Sequence, residues 1–183
     1  MFCSSLCIKN LELQIFRLCV SKEIFSQLND IYLFDETIQS PIQLRDLMNQ
    51  LSSKNKFLIV EQVMANPTRA SEIIENNIDH WVLTLYLRDI NEAFIFNSLI
   101  NFKPSVYLIS KIVQGVKVKE VRGIPDQTSF DCGYWALMYV AIFSIFNIPL
   151  NAISDFKSII KGNFMAFKSF IKNLASEACK LSF

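Results

Sequence analysis

Asp79-His80-Trp81-Val82-Leu83-Thr84-Leu85-Tyr86-Leu87-Arg88-Asp89-Ile90-Asn91-Glu92-Ala93-Phe94-Ile95-Phe96-Asn97 carries the clearest β signal in the chain. Residues 81–87 and 94–96 are rich in β-branched and aromatic side chains and read as two strands. Arg88, Asp89, Ile90, Asn91 and Glu92 between them supply turn chemistry, which predicts an antiparallel hairpin. The outer ends of such a hairpin come together. His80 opens the first strand and Asn97 ends the second, so the two are expected within a residue or two of register.

Outward from the hairpin, helical and strand patterns alternate. Leu11, Ile15, Leu18, Ile24, Phe25 and Leu28 recur at helical spacing over residues 10–29. Ser40-Pro41-Ile42-Gln43 is a helix start: Ser40 can cap, Pro41 suits the first turn and Gln43 completes a capping box. Leu44, Leu47, Met48 and Leu51 then share one face. Residues 57–63 read as a strand, Asn66-Pro67 breaks it, and 68–76 reads as a short helix. A helix is expected from Lys103-Pro104 to Val113, and 116–121 alternates strictly, as a strand with one wet face does. A loop over 123–131 leads into an uncharged helix beginning at Cys132, and two amphipathic helices, 152–161 and 164–180, close the chain. The fold class expected is α+β: a mixed, largely antiparallel central sheet flanked by helices.

The composition excludes several chemistries. The 183 residues suit a single domain, 1–183, with 1–40 as a helical N-terminal extension. One histidine cannot make a His-pair metal site, and the five cysteines (Cys3, Cys7, Cys19, Cys132, Cys179) contain no C-x-x-C pair, so no metal and no cofactor is expected. The four glycines are too scattered for a dinucleotide or phosphate-binding loop. With 18 basic against 17 acidic residues there is no basic field for nucleic acid. The odd cysteine count, irregularly spaced, points to a reducing, cytoplasmic setting.

Hydrophobic residues make up 51% of the chain and the mean hydropathy is +0.29, so a membrane segment has to be considered. Between Asp131 and Asp155 no charge intervenes. Asn147, Pro149 and Asn151 break the second part of that run, and the remaining apolar portion, 135–146, has the length of a helix buried in a globular core. No membrane span is expected.

Cys132 lies where the loop enters the helix. A thiol there faces the first backbone N–H groups and the positive end of the helix dipole, which favours thiolate. Gly133 beside it leaves room for a substrate backbone. A Cys nucleophile, a His base and an Asn that orients the imidazole can together carry acyl transfer. Gln127 can add a side-chain N–H to the Cys132 backbone N–H as an oxyanion hole. Taken singly, each residue also has an ordinary packing or turn role; their conjunction and order carry the chemistry.

Asp79-His80-Trp81, then Phe94-Ile95-Phe96-Asn97-Ser98-Leu99, then Gln127-Thr128-Ser129-Phe130-Asp131-Cys132-Gly133 resembles the ubiquitin-like-protein protease family, within the adenovirus-protease-like clan of cysteine peptidases. The resemblance spans about residues 57–147, is specific in the Cys loop and the His-Trp pair, and implies that this span is the catalytic core. It implies a papain-like or adenain-like arrangement with the nucleophile at the head of a buried central helix. It implies His80 as base, Asn97 as orienting residue, Cys132 as nucleophile and Gln127 as oxyanion donor. Trp81 and Gly133 would line the channel for a substrate's Gly-Gly tail. The implied partner is ubiquitin or a ubiquitin-like protein (SUMO or NEDD8) and its conjugates, cut by a monomeric enzyme, with a secreted effector acting in a host cell as one possible setting. Two positions depart from the family. Its third member is usually Asp, where this chain has Asn97, and the interval from Gln127 to Cys132 is one residue shorter. Two other readings stay open: an acetyltransferase effector of the same clan, and a catalytically weak pseudo-protease that binds a ubiquitin-like protein.

Overall fold

The computed structural model describes residues 31–34, 41–64, 79–98, 107–121, 131–144, 150–152 and 157–180. The helices read from the sequence at 10–29 and 68–76 and most of the loop at 123–131 lie outside the described residues. Five strands form one sheet in the order β1-β2-β3-β4-β5: β1 Ile31–Phe34, β2 Lys56–Met64, β3 Asp79–Leu87, β4 Glu92–Phe96 and β5 Lys117–Val121. The inner pairs β2–β3 and β3–β4 are antiparallel, and the outer pairs β1–β2 and β4–β5 are parallel.

Each parallel pair needs a crossover, and each crossover contains a helix: α1 Pro41–Gln50 between β1 and β2, and α2 Leu108–Ile112 between β4 and β5. Since β1, β2, β4 and β5 run the same way and both crossovers step in the same direction along the sheet, right-handed connections place both helices on one face. The core shows this outcome. Leu44 and Met48 of α1 and Ile109 and Ile112 of α2 join Phe57, Ile59, Val63, Val82, Tyr86, Ala93 and Ile95 in one buried cluster. Leu47 and Leu51 pack at its margin, so the apolar face read from the sequence is the face α1 buries. Full burial of side chains of this size contributes about 1.5–3 kcal/mol each.

The hairpin turn is held by Asn91, whose φ of 52° lies in the left-handed region that asparagine tolerates. Its amide accepts from the Tyr86 hydroxyl at 3.1 Å and donates to the Gly115 carbonyl at 3.2 Å. Its backbone carbonyl receives the Lys117 N–H at 3.1 Å, which starts β5 beside the turn. Arg88, at the end of β3, donates to the carbonyls of Met48, Leu51 and Ser52, the C-terminal end of α1, with its guanidinium 4.6 Å from the centre of the Phe57 ring. A cation at a helix C-terminus satisfies carbonyls that the helix itself leaves over.

α3 Cys132–Ser144 begins where the uncharged run predicts it. All of its residues are buried except Gly133, as expected of a helix apolar all round. Among the described residues no helix is long and apolar enough to cross a membrane. The chain divides into two compact units, one from Asn29 to Ala136 that holds the sheet, α1, α2 and the head of α3, and one that holds the rest of α3 and α4 Lys157–Lys180.

Four expectations need correction. β1 lies within the span read as a helical extension; its four residues carry too short a pattern to signal a strand. The helix expected from Lys103 to Val113 is not continuous: Tyr107 is extended and caps a helix over Leu108–Ile112, while residues 103–106 lie outside the described residues. β5 is wet on both faces rather than one: Lys117, Val118, Lys119 and Glu120 are all exposed, because the strand lies at the edge of the sheet. The two closing helices are one, α4, of 24 residues. Gly162 does not break it, and the buried positions Ile160, Phe164 and Ile171 keep one helical face through the glycine. A Cβ added at Gly162 meets nothing within 4 Å. Gly162→Ala is therefore expected to raise stability by up to about 1 kcal/mol, read as a higher denaturant midpoint; two helices separated at this glycine would instead lose stability.

Candidate active site

Strand register decides which side chains share the face that α1 and α2 cover. β2 and β3 pair Ile59 with Thr84, Glu61 with Val82 and Val63 with His80. β3 and β4 pair Thr84 with Ile95 and Leu83 with Phe96. One more pair in this register sets Asn97 opposite Val82. Alternation along each strand then puts Ile59, Glu61, Val63, His80, Val82, Thr84, Ile95 and Asn97 on one face. His80 and Asn97 are a diagonal cross-strand pair, as are His80 and Glu61, and same-face diagonal neighbours lie within reach of long side chains.

The His80–Asn97 diagonal is closed by a hydrogen bond of 2.8 Å between Nε2 and Oδ1. The amide oxygen can only accept, so Nε2 carries the hydrogen and the imidazole lone pair lies on Nδ1. His80 is 1% exposed, so the ring is held in this tautomer away from bulk water, and Asn97 is half-buried. The two residues the hairpin was expected to join are joined.

Cys132 belongs to the same compact unit and occupies the first position of α3. It is 4% exposed and not in a disulfide. The helix starts cleanly: the Asp131 carbonyl accepts the Trp135 N–H at 3.1 Å, and Asp131 is itself buried. Gly133, next to the thiol, is only half-buried. Trp81 follows His80 on β3, points to the opposite face by alternation, and is buried. Gln127 lies outside the described residues. Among the described residues no group of three His, Cys, Asp or Glu side chains could hold a metal ion.

Sequence reasoning missed one feature of this face. Glu61 is 8% exposed, and both carboxylate oxygens accept: Oε1 from the Thr84 hydroxyl and Oε2 from the Leu108 N–H at the start of α2, each at 2.8 Å. Burial pushes its pKa above the ordinary carboxylate range, while the Leu108 amide, the Thr84 hydroxyl and the charge of Lys111 pull it down. The available signal was parity. Phe57, Ile59 and Val63 mark the face of β2 that α1 and α2 cover, and the charged residue at 61 falls in the same register.

No protein-family model matches the chain, and no curated protein does. Solved structures similar to it include the SUMO protease Ulp1 with its catalytic cysteine oxidized to a sulfinic acid, 15% identical, covering 91% of this chain and 77% of that one at a TM-score of 0.49. The same protease with a sulfenic acid is 12% identical, covering 90% and 77%, at 0.45. The Chlamydia trachomatis effector protein Cdu1 bound to ubiquitin is 13% identical, covering 95% and 81%, at 0.37. Similarity at this level decides no residue's role; the chemistry has to come from the side chains themselves.

The raised pKa of Glu61 has a consequence for stability. A carboxyl whose folded pKa lies above its unfolded value contributes stability that is full below the unfolded value, about 4.5 here, and is lost as pH rises through the folded pKa. Glutamine cannot ionise. Glu61→Gln is therefore expected to gain stability relative to wild type as pH rises across that window, read from denaturant midpoints at a series of pH values. A difference that stays constant across the window contradicts the assignment.

Proposed function

We propose that this chain is a cysteine peptidase cleaving after the C-terminal Gly-Gly of ubiquitin or a ubiquitin-like protein. The observation that carries the reading is the 2.8 Å bond from His80 Nε2 to Asn97 Oδ1, which presents Nδ1 as a base in a chain with one histidine. The substrate class rests on the resemblance of the His-Trp, Asn-Ser-Leu and Asp-Cys-Gly segments to the ubiquitin-like-protein proteases. In the proposed cycle Nδ1 of His80 takes the Cys132 thiol proton and the thiolate adds to the scissile carbonyl. The oxyanion is met by the Cys132 backbone N–H and the Gln127 side chain. His80 returns the proton to the departing amine, leaving a thioester on Cys132. It then takes a proton from water as that water hydrolyses the thioester, and the thiol is restored. Gly133 leaves space beside the thiol for an extended Gly-Gly backbone, and the resemblance, rather than the sheet face, assigns Trp81 to the wall of that channel.

Asn97 holds the tautomer but carries no charge, so it stabilises the imidazolium less than a carboxylate does. A ubiquitin or SUMO probe with an electrophilic C-terminus is expected to label wild type and leave Cys132→Ala unlabelled. Turnover of the preferred modifier should fall by about 10²–10⁴-fold in His80→Ala. Equal labelling of Cys132→Ala overturns the mechanism. Stoichiometric binding of the modifier without any turnover would leave a binding protein in place of an enzyme.

A further inference from the structure

The proposed triad lacks a carboxylate, yet a carboxylate is buried on the same face of the sheet. Glu61 faces Val82 directly. It therefore has two diagonal neighbours on β3, Thr84 on one side and His80 on the other. The Thr84 diagonal is closed by a hydrogen bond of 2.8 Å. Asn97 occupies the corresponding diagonal to His80 from the β4 side. His80 thus has the bonded Asn97 amide toward β4 and Glu61 as its diagonal neighbour toward β2. We propose that Glu61 is a positioning residue that supplies, across the sheet face, the negative charge that Asn97 lacks, and so favours the imidazolium form of His80. The inference rests on the Cys-His reading above and deepens it.

Two features of the site fit this role. Both donors on Glu61, the Thr84 hydroxyl and the Leu108 amide, point at its oxygens, an arrangement suited to a carboxylate. They also fix the side chain, holding the carboxylate on the Thr84 side of Glu61, one diagonal removed from His80. A buried acid in an otherwise apolar β2 face weakens the fold, and retaining such a group is characteristic of functional sites. Other charges also lie on elements near this face. Lys111 of α2 acts on Glu61 itself, and Arg45 and Asp46 of α1 are exposed. Glu120 of β5 accepts the Tyr107 hydroxyl at 2.8 Å, and Asp131 immediately precedes Cys132.

The single histidine makes the test unambiguous, since its imidazole resonances belong to one residue. The His80 titration is followed by NMR in the full chain, with and without Cys132→Ala, for wild type, Glu61→Gln and Glu61→Asp. Taking the same-face diagonal spacing of about 7–8 Å as the charge separation, at an effective dielectric of about 20, Glu61→Gln is predicted to lower the His80 midpoint by about 1.5 pH units. Glu61→Asp, which keeps the charge, is expected to retain most of the wild-type midpoint. A His80 midpoint unchanged in Glu61→Gln overturns the proposal, as does an equal shift in Glu61→Asp, which would mark a packing effect. Circular dichroism checks that each variant is folded, and glutamine can accept from Leu108 while its amide donates to Thr84. The readout needs no substrate. A shifted midpoint with no probe labelling of wild type keeps the Glu61–His80 coupling and removes the protease reading; labelling with no shift does the reverse.

Discussion

The register of β2, β3 and β4 sets the chemistry of this molecule. Side chains alternate along a strand, so a slip of one residue in either pairing would turn a whole row to the other face. The register found places His80 between Glu61 and Asn97 and points all three to the face that α1 and α2 cover. Val63, Val82 and Ile59, interleaved with these polar groups, belong to the buried cluster that anchors the helices. The apolar members of the face hold the register, and the register in turn aligns the polar members.

Burial gives these polar contacts their weight. An imidazole that is 1% exposed cannot exchange its hydrogen-bond partner freely with water, so the bond to the Asn97 amide oxygen holds its tautomer. Surface pairs such as Lys119 with Glu92, 2.7 Å apart with the lysine side chain 52% exposed, contribute about 0–1 kcal/mol and set no chemistry. The edge strand β5 and the hairpin turn therefore read as scaffold. Asn91 and Arg88 tie that end of the sheet to β5 and α1, and the chemistry is confined to the opposite end of the hairpin.

Much of this site was legible in the sequence because it is local. The hairpin brings His80 and Asn97 together over 17 positions, and the uncharged run announces the helix that Cys132 begins. What was not legible depends on distant partners. β1 is four residues long and is defined by pairing with β2 across a helix, and β5 reads as half-buried only if something covers its second face. Gly162 carried a helix-breaking signal that the apolar stripe of α4 overrides. Glu61 was visible only as a charge in a strand. Its meaning required the register between β2 and β3, strands separated in the sequence by residues 65–78.

The central claim is that Asn97 fixes His80 with its hydrogen on Nε2 and its lone pair on Nδ1. Long-range ¹H–¹⁵N correlation spectra of the single histidine, recorded in Cys132→Ala protein at a pH where the imidazole is neutral, read that tautomer directly. The account predicts a protonated Nε2 and an unprotonated Nδ1, with the balance loosening in Asn97→Ala. A hydrogen on Nδ1 would contradict it, because the ring would then have no base to offer a thiol on that side.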